Sequence, residues 1–344
     1  MKNYDLLIVG SGIVGSALSF YSSIQNKKVL ILEKEFAGYN SSGNAQGGLA
    51  PYLGNDAKIK KFHEYSYSLH EEFKANYNKY TKINPQYHKK SLIHIFQNEN
   101  EKNDLILNGF DKKNFSDLYD LQKLEPKLKK ADHGAIIFDD YMEVDSYNLT
   151  NSLKDSSINL GAEYINFDFS MNNLNIKDDV IESININNEE LKFKKIAITA
   201  GPWTKGLAKN SDVINVKPLK GQLLKAETDL DFKNSFSWAK DYATKKNDNL
   251  LWIGTTEEDV NFQEGTTEEA RKEILDSFNE IFTGFEKLKI IDQTACFRPY
   301  SENNIPIIKQ SSKYSNLFYG TGAGRNGIKL GPAMGMNIYK KIFN

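Results

Sequence analysis

Residues 4–15 read Tyr-Asp-Leu-Leu-Ile-Val-Gly-Ser-Gly-Ile-Val-Gly, an apolar run that ends in a turn with three glycines. Residues 16–24 then have helical spacing, and residues 28–32 form a second β-rich run that ends at Glu33. This order of strand, glycine turn, helix, strand and acid is typical of a dinucleotide-binding unit. The stretch therefore predicts an α/β fold that begins with a Rossmann-like unit.

Each glycine of this turn has its own task. Gly10 permits the tight turn, Gly12 lets the backbone approach a pyrophosphate, and Gly15 lets the helix pack close to the strand. The helix start offers free N–H groups and a positive dipole end to phosphates. Glu33 stands where an acid accepts hydrogen bonds from ribose hydroxyls, which favours FAD or NAD over NADP. The motif alone does not choose between those two.

The composition excludes several classes of protein. The chain has 344 residues, which suggests two interleaved domains, and its formal charge of −1 gives no general attraction to nucleic acid or to an anionic membrane. A single cysteine, Cys296, excludes an internal disulfide and a multi-cysteine metal site. No stretch approaches the roughly 20 apolar residues of a membrane span. We therefore expect a cytoplasmic protein that does not bind membranes.

Arginine is scarce in this chain, whose basic residues are almost all lysine. The arginines are Arg271, Arg298 and Arg325. An arginine that persists where lysine is otherwise preferred is a candidate for work that needs a planar, bidentate donor. Arg271 lies in a charged helical run at 267–276, which suits a surface role. The other two lie in segments rich in glycine and proline.

Further motifs are spread over most of the chain. Residues 40–51 read Asn-Ser-Ser-Gly-Asn-Ala-Gln-Gly-Gly-Leu-Ala-Pro, residues 199–203 Thr-Ala-Gly-Pro-Trp, and residues 218–222 Pro-Leu-Lys-Gly-Gln. Ile-Gly-Thr-Thr-Glu-Glu at 253–258 precedes Phe-Arg-Pro at 297–299 and Gly-Thr-Gly-Ala-Gly-Arg-Asn-Gly at 320–327. With these motifs the chain resembles the FAD-dependent amine oxidoreductases related to D-amino acid oxidase, in particular glycine oxidase and sarcosine oxidase. It is also similar to the oxidase half of the bifunctional enzyme that modifies the tRNA wobble uridine.

The resemblance implies FAD as cofactor and an interleaved architecture. A Rossmann-like FAD-binding domain would use residues 1–82, 141–209 and 301–344. A mixed-sheet α+β substrate-binding domain would use residues 83–140 and 210–300. The coarse pattern of the sequence agrees, since it predicts strands at 92–96, 216–226 and 250–254 and an amphipathic helix at 57–80.

The residues expected to bind FAD lie in the first glycine turn, the second strand end, the 41–47 segment, the 201–203 turn and the C-terminal glycine turn. They are Gly10, Gly12, Ile13, Val14, Gly15, Glu33, Lys34, Ser41, Ser42, Gly43, Asn44, Gln46, Gly47, Gly201, Trp203, Gly324, Asn326, Gly327 and Ile328. No metal is expected, because the five histidines match no metal-binding pattern.

The resemblance assigns catalytic roles to Arg298, Tyr242, Arg325 and Gly48. Arg298 would clamp a substrate carboxylate with its guanidinium fork, and the Tyr242 hydroxyl would assist. Structural readings stay open, since Arg298 could form an ion pair, Arg325 could cap a helix and Tyr242 could be core. Gly48 stands where glycine oxidase has a methionine, which suggests room for a larger or N-substituted substrate.

Two positions bear on the flavin and its electron acceptor. Cys296 aligns with the cysteine that links covalently to the flavin of monomeric sarcosine oxidase, although a lone buried thiol is usually inert. Trp252 stands where that enzyme has an oxygen-activating lysine, so oxygen need not be the electron acceptor. Oxygen and another electron acceptor both stay open.

The expected reaction is oxidation of a small amino acid or N-substituted glycine. Hydride passes to flavin N5, and the imine then hydrolyses in water. The alternatives are an FAD-dependent oxidase acting on the carboxymethylaminomethyl group of tRNA wobble uridine, an NAD-dependent dehydrogenase, and a non-catalytic flavin-binding protein. The expected partner is a small amine or amino acid, nucleic acid is not expected, and a homo-oligomer is left open.

Overall fold

A computed structural model describes residues 3–229, 232–284 and 288–344, which form two mixed β-sheets flanked by helices. The strands are β1 (Asn3–Val9), β2 (Val29–Glu33), β3 (His88–Ile95), β4 (Phe115–Ser116), β5 (Ala135–Glu143), β6 (Glu163–Asn166), β7 (Leu174–Lys177), β8 (Val180–Ile186), β9 (Glu189–Ile198), β10 (Lys217–Glu227), β11 (Ser235–Trp238), β12 (Asp241–Lys245), β13 (Leu251–Gly254), β14 (Lys289–Tyr300), β15 (Ile307–Gln310) and β16 (Leu317–Thr321). The helices are α1 (Ile13–Ile24), α2 (Ala57–Asn76), α3 (Glu99–Leu107), α4 (Leu118–Leu124), α5 (Ser146–Asn159), α6 (Thr204–Ala208), α7 (Glu268–Ile281) and α8 (Gly327–Phe343).

The first sheet has the strand order β15-β16-β9-β1-β2-β6, and β8 joins it beside β9. β1 pairs in parallel with both β2 and β9, so it lies at the centre of the sheet. Its residues Leu6, Leu7 and Ile8 are fully buried, because core clusters cover both faces. This burial explains why the first strand reads as a continuous apolar run instead of an alternating one.

α1 packs against α5 and α8 on one face of this sheet. The contact with α8 is close because small residues meet there: a Cβ on Gly335 would lie 2.6 Å from the backbone nitrogen of Leu18. The C-terminal helix is thereby fixed against the helix that follows the first glycine turn. Both helices start at the same edge of the sheet, so their N-termini open towards the same region.

The second sheet has the order β14-β10-β13-β12-β11-β3-β5-β4. Its pairs are antiparallel except β3 and β11, which run in parallel. α7 covers one face with Ala270, Ile274, Phe278 and Ile281, which share a helix side and are buried. The Thr267 hydroxyl accepts a hydrogen bond from the backbone N–H of Ala270 and begins this helix.

Most of the predicted elements are confirmed, including the strand–turn–helix–strand start and the strands near 92–96, 216–226 and 250–254. The helix predicted at 57–80 is shorter, because Asn76 leaves helical geometry with φ −128° and residues 77–79 form a 3-10 turn. β5 crosses the predicted domain boundary at 140/141. The domain ranges themselves remain a proposal.

Within the part of the chain that the structure describes, no helix is both long and apolar enough to cross a membrane.

Two histidines of α2 are buried. His70 lies between the Tyr87 hydroxyl, at 2.8 Å, and the backbone carbonyls of Ile328 and Lys329, at 3.2 and 3.1 Å, so it ties α2 to α8. Burial lowers the pKa of His70 to about 4. Burial and the charge of Lys329 lower the pKa of His63 to about 3. Both imidazoles are therefore neutral in the folded protein at neutral pH.

We predict that the free energy of unfolding falls as the pH drops from 6.5 to 4. In this window the unfolded chain protonates both histidines while the folded chain does not, so protons favour unfolding. His63→Phe keeps a ring beside Tyr52 and removes one of the two titrations, so it loses less stability over that window. Urea unfolding at a series of pH values measures this. Equal pH dependences of the unfolding free energy for the wild-type protein and His63→Phe would contradict the prediction.

Candidate active site

A cavity of about 620 Å³ lies between the ends of β1 and β2 in the first sheet and strands β10, β12 and β14 of the second. Most residues predicted from the sequence line it. They are Gly10, Gly12, Ile13, Val14, Glu33, Lys34, Ser41, Ser42, Asn44, Gln46, Gly47, Gly48, Gly201, Trp203, Tyr242, Arg298, Gly324, Arg325, Gly327 and Ile328. The structure thus brings together residues from distant parts of the chain.

The first glycine turn forms one end of the cavity. Gly10 has φ +97°, and a Cβ there would lie 2.8 Å from the carbonyl oxygen of Thr199. A Cβ on Gly15 would lie 1.9 Å from the carbonyl oxygen of Gly10, so Gly15 shapes the turn from behind and does not line the cavity. Gly12, the residue before α1, has no side chain that could cap the helix, and the Ile13 N–H donates to the Ser42 hydroxyl. The following N–H groups of the first turn and the helix dipole suit the phosphates of a dinucleotide.

Glu33 connects this turn to the end of β2. Its carboxylate oxygens accept hydrogen bonds from the backbone N–H groups of Ser11 and Lys34, at 2.7 and 2.9 Å. The same carboxylate borders the cavity, where it can also accept from ribose hydroxyls. The Lys34 amine pairs with the Asp168 carboxylate at 3.0 Å near the surface, and both residues line the cavity.

The 40–48 segment joins the two sheets. Asn40 accepts a hydrogen bond at 2.8 Å from the backbone N–H of Phe297, and the Ser42 hydroxyl accepts one at 3.0 Å from the backbone N–H of Ile13. Gly43 does not line the cavity; a Cβ there would lie 2.2 Å from the carbonyl oxygen of Gly38. Gly43 is therefore required by the folding of the segment, and this packing explains the small residues of the motif.

Arg298 and Tyr242 each lie over a glycine of a neighbouring strand. A Cβ on Gly221 would lie 2.2 Å from an Arg298 guanidinium nitrogen, and one on Gly254 would lie 2.8 Å from the Tyr242 ring. Arg298 also donates to the Thr255 hydroxyl at 2.6 Å. Burial raises the pKa of Tyr242, so its hydroxyl stays protonated and can donate. Both groups are held in fixed positions at the cavity wall.

Arg325 approaches the same region from the turn before α8. Its guanidinium lies 3.4 Å from the Glu257 carboxylate and also donates to the carbonyl of Lys240. Glu257 lies 4.0 Å from Arg298 as well, so one carboxylate faces both guanidiniums. Arg325 thus lines the cavity and pairs with Glu257, but none of these side-chain contacts caps α8. Its catalytic role stays a prediction.

The structure corrects the expectation that Gly48 leaves room for a larger substrate. A Cβ at Gly48 would lie 2.1 Å from the Tyr141 hydroxyl and 2.5 Å from the Gln46 side-chain oxygen. Those two side chains already take the space that a side chain at Gly48 would occupy. Gly48 still lines the cavity, but the missing side chain does not by itself enlarge it.

Some cavity residues were not singled out from the sequence. Thr255, Gly221 and Asn40 line the cavity and lie inside the sequence motifs that carry the resemblance. The sequence therefore contained a signal for these three residues, although it assigned them no role. Glu264 and Asp168 also line the cavity and carry no motif. Asn326 was predicted to bind the cofactor and does not line the cavity; it stands at the start of α8.

Across the residues that the structure describes, no three His, Cys, Asp or Glu side chains form a group that could hold an ion.

Comparison with known proteins identifies the relatives of this chain. The sequence family described as "DAO: FAD dependent oxidoreductase" matches residues 5–340. The glycine oxidase of Bacillus licheniformis is 22% identical, over 97% of this chain and 91% of the relative. The bifunctional protein ThiO/ThiG of Trichormus variabilis is 24% identical over 95% of this chain, which spans only 51% of that protein. The crystal structure of glycine oxidase from Geobacillus kaustophilus has a TM-score of 0.90 and 20% identity, covering 100% of this chain and 96% of the other.

The family match and the cavity agree on the cofactor. A tight glycine turn, the N-terminus of α1 at the cavity and an acid at the second strand end fit the pyrophosphate and ribose of FAD. The chain is accordingly an FAD-dependent oxidoreductase. FAD, and not NAD, is the dinucleotide of this site.

We predict that Gly15→Ala abolishes FAD binding. The added methyl group would lie 1.9 Å from the carbonyl oxygen of Gly10, so α1 must move away from the turn that faces the phosphates. The purified variant should lack visible flavin absorption, with FAD affinity reduced by about a hundredfold or more. Ser19→Ala, in the same helix, is the control; Ser19 is buried and its hydroxyl contacts no polar partner among the described residues. A yellow Gly15→Ala variant would contradict the prediction.

We also predict that Cys296 does not link to the flavin. Cys296 lines the cavity, but burial raises the pKa of its thiol, which disfavours the reactive thiolate. Acid precipitation should therefore release all the flavin into the supernatant. Yellow colour retained in the washed pellet, and lost in Cys296→Ser, would show a covalent link.

Proposed function

Because the chain belongs to the FAD-dependent oxidoreductase family described as DAO, we propose that it oxidises a small amino acid or an N-substituted glycine to an imine. The observation that carries this proposal is the fixed guanidinium of Arg298 beside the Tyr242 hydroxyl in the cavity wall. A planar fork and a neutral donor suit a carboxylate. The glycine oxidases among the relatives support an amine as the oxidised group.

Several residues of the cavity wall take part in binding the substrate carboxylate. Arg298 already uses one guanidinium nitrogen on the Thr255 hydroxyl and another on the Thr256 carbonyl, which hold the group in one orientation. Its remaining N–H donors bind the substrate carboxylate, and the Tyr242 hydroxyl donates a further hydrogen bond. These contacts place the carbon between carboxylate and nitrogen at one position in the cavity, so positioning is the main catalytic contribution of the chain.

The electrons and protons of the reaction balance without a metal or a protein nucleophile. Bound FAD supplies a two-electron acceptor at its N5 position. The substrate reacts as the neutral amine and loses a hydride from the carbon next to nitrogen, which leaves an iminium that releases a proton. Water then hydrolyses the imine to an oxo acid and ammonia, or to an oxo acid and a primary amine when the substrate is an N-substituted glycine. The two electrons would pass on to oxygen or another acceptor.

The first test is reduction of the bound flavin under anaerobic conditions. We expect the yellow absorption to bleach when a pool of glycine, N-methylated glycines and other small amino acids is added, and dividing the pool identifies the substrate. A flavin that stays oxidised with every member of the pool would contradict the proposal. The carboxymethylaminomethyl group of a tRNA would then be the next candidate substrate.

Arg298→Lys tests the carboxylate contact. Lysine keeps the charge but loses the fork, so we expect full FAD content and a fall of about a hundredfold in kcat/KM for reduction by the identified amine. Arg271→Lys, on the exposed side of α7, is the matched control and should behave as wild type. Normal turnover of Arg298→Lys would remove Arg298 from the proposed role.

A further inference from the structure

Glu143 is a fully buried carboxylate at the end of β5 that the proposed reaction does not use. One of its oxygens accepts hydrogen bonds from the Ser235 and Thr244 hydroxyls at 2.5 and 2.9 Å. The other lies 3.1 Å from the Lys90 amine and 3.5 Å from His88. Burial raises the pKa of this carboxyl, but the hydrogen bond with His88 and the nearby lysines outweigh it and hold the pKa well below its usual range.

This carboxylate also reaches the segment that faces the cofactor cavity. Glu143 accepts a hydrogen bond at 2.8 Å from the Gln46 amide, whose oxygen in turn accepts from the backbone N–H of Gly48 at 2.8 Å. The backbone continues the contact, because Val144 donates to the carbonyl of Gly47 and Leu49 donates to that of Met142. Residues 46–49 are thus attached side by side to the end of β5.

Lys246, the residue after the end of β12, completes the arrangement. Its amine donates to the carbonyl oxygens of Gln46 and Val144, at 2.8 and 3.1 Å, and lies 3.4 Å from Glu143. The Lys246 side chain is 6% exposed. One buried amine therefore joins the cavity segment, the end of β5 and the carboxylate in a single set of contacts.

Buried charges of this kind are not needed to stabilise a sheet. Taking charges out of water is costly, and apolar side chains of similar size often serve stability as well or better. Here both charged groups contact Gln46, Glu143 through the side-chain amide and Lys246 through the backbone carbonyl, and residues 46–48 line the cavity. The Gly47 backbone has φ +85°, and a Cβ there would lie 2.0 Å from the carbonyl oxygen of Val144, so the segment is held very close to β5.

We propose that Glu143 and Lys246 form a buried positioning pair that holds residues 46–48 in the conformation that binds FAD. Neither residue lines the cavity, so each acts through the segment. A second buried lysine supports the other end, because the Lys329 amine donates to the carbonyl of Ala50 at 2.8 Å. The FAD site therefore depends on Glu143 of the second sheet, on Lys246 after β12 and on Lys329 of α8.

The test compares two lysines that share a neighbour. Lys246 and Lys225 both lie over the Trp252 ring, at 5.8 and 4.7 Å, and each pairs with a carboxylate. Only Lys246 contacts the cavity segment. Lys246→Met and Lys225→Met are titrated as apoproteins with FAD, using the quenching of flavin fluorescence, at a temperature where circular dichroism shows both to be folded.

We expect Lys246→Met to weaken FAD binding at least tenfold and Lys225→Met to change it less than twofold. Lys246→Arg, which keeps a charged donor, should recover most of the affinity. Hydrogen exchange of the apoproteins should show faster exchange in residues 44–50 of Lys246→Met and unchanged exchange in β10. Wild-type affinity in Lys246→Met, equal weakening in both methionine variants, or no recovery in Lys246→Arg would each overturn the proposal.

Thr244→Val provides a second test of the proposal if Lys246→Met does not fold. This variant removes one hydroxyl that donates to Glu143 and leaves every charge in place. We expect faster exchange in residues 44–50 and a smaller, threefold to fivefold loss of FAD affinity; unchanged values for both would overturn the proposal. The measurements use no amine substrate, so their outcome is independent of whether the proposed oxidation is correct.

Discussion

The close approach of α1 to the end of β1 is the constraint on which the rest of this structure depends. Gly15 must come within contact of the Gly10 backbone, and Gly10 must pass the carbonyl of Thr199 at the end of β9. Only residues without side chains permit this, because the backbone atoms on either side have no room to move. The turn places the N-terminus of α1 at the cavity, where its dipole faces a phosphate. α8 packs on α1, so the C-terminal glycine turn borders the same cavity.

The two sheets supply different kinds of groups to the cavity. The dinucleotide end is built mainly from backbone groups and short side chains, whereas the opposite wall presents Arg298 and Tyr242 from antiparallel strands. Glycines play a different part here, because Gly221 and Gly254 give these long side chains a surface to lie on. The same small residue thus allows a tight turn in one sheet and a fixed side-chain orientation in the other.

The 40–48 segment connects these two halves physically. Asn40 holds it to β14, Ser42 to the start of α1, and Gln46 to the buried Glu143. Charges inside the protein are costly unless they are paired and hydrogen-bonded. This group of contacts is therefore stable only in a geometry in which each charged group has its partners. Cofactor binding and the packing of the second sheet are therefore linked through a few named side chains.

The sequence by itself determined the local elements, the dinucleotide turn and the family, because these are encoded in short-range spacing: glycines at 10, 12 and 15, an acid at 33, and apolar runs of strand length. It also singled out Arg298 through the scarcity of arginine. Only the tertiary structure decided which groups meet. Tyr141 fills the space beside Gly48, Gly43 and Gly15 serve folding rather than the cavity, and Glu143 and Lys246 reach the segment at 46–48 from about 100 and 200 residues away along the chain. Such contacts carry no local pattern, because each depends on strand order and register that bring distant side chains together.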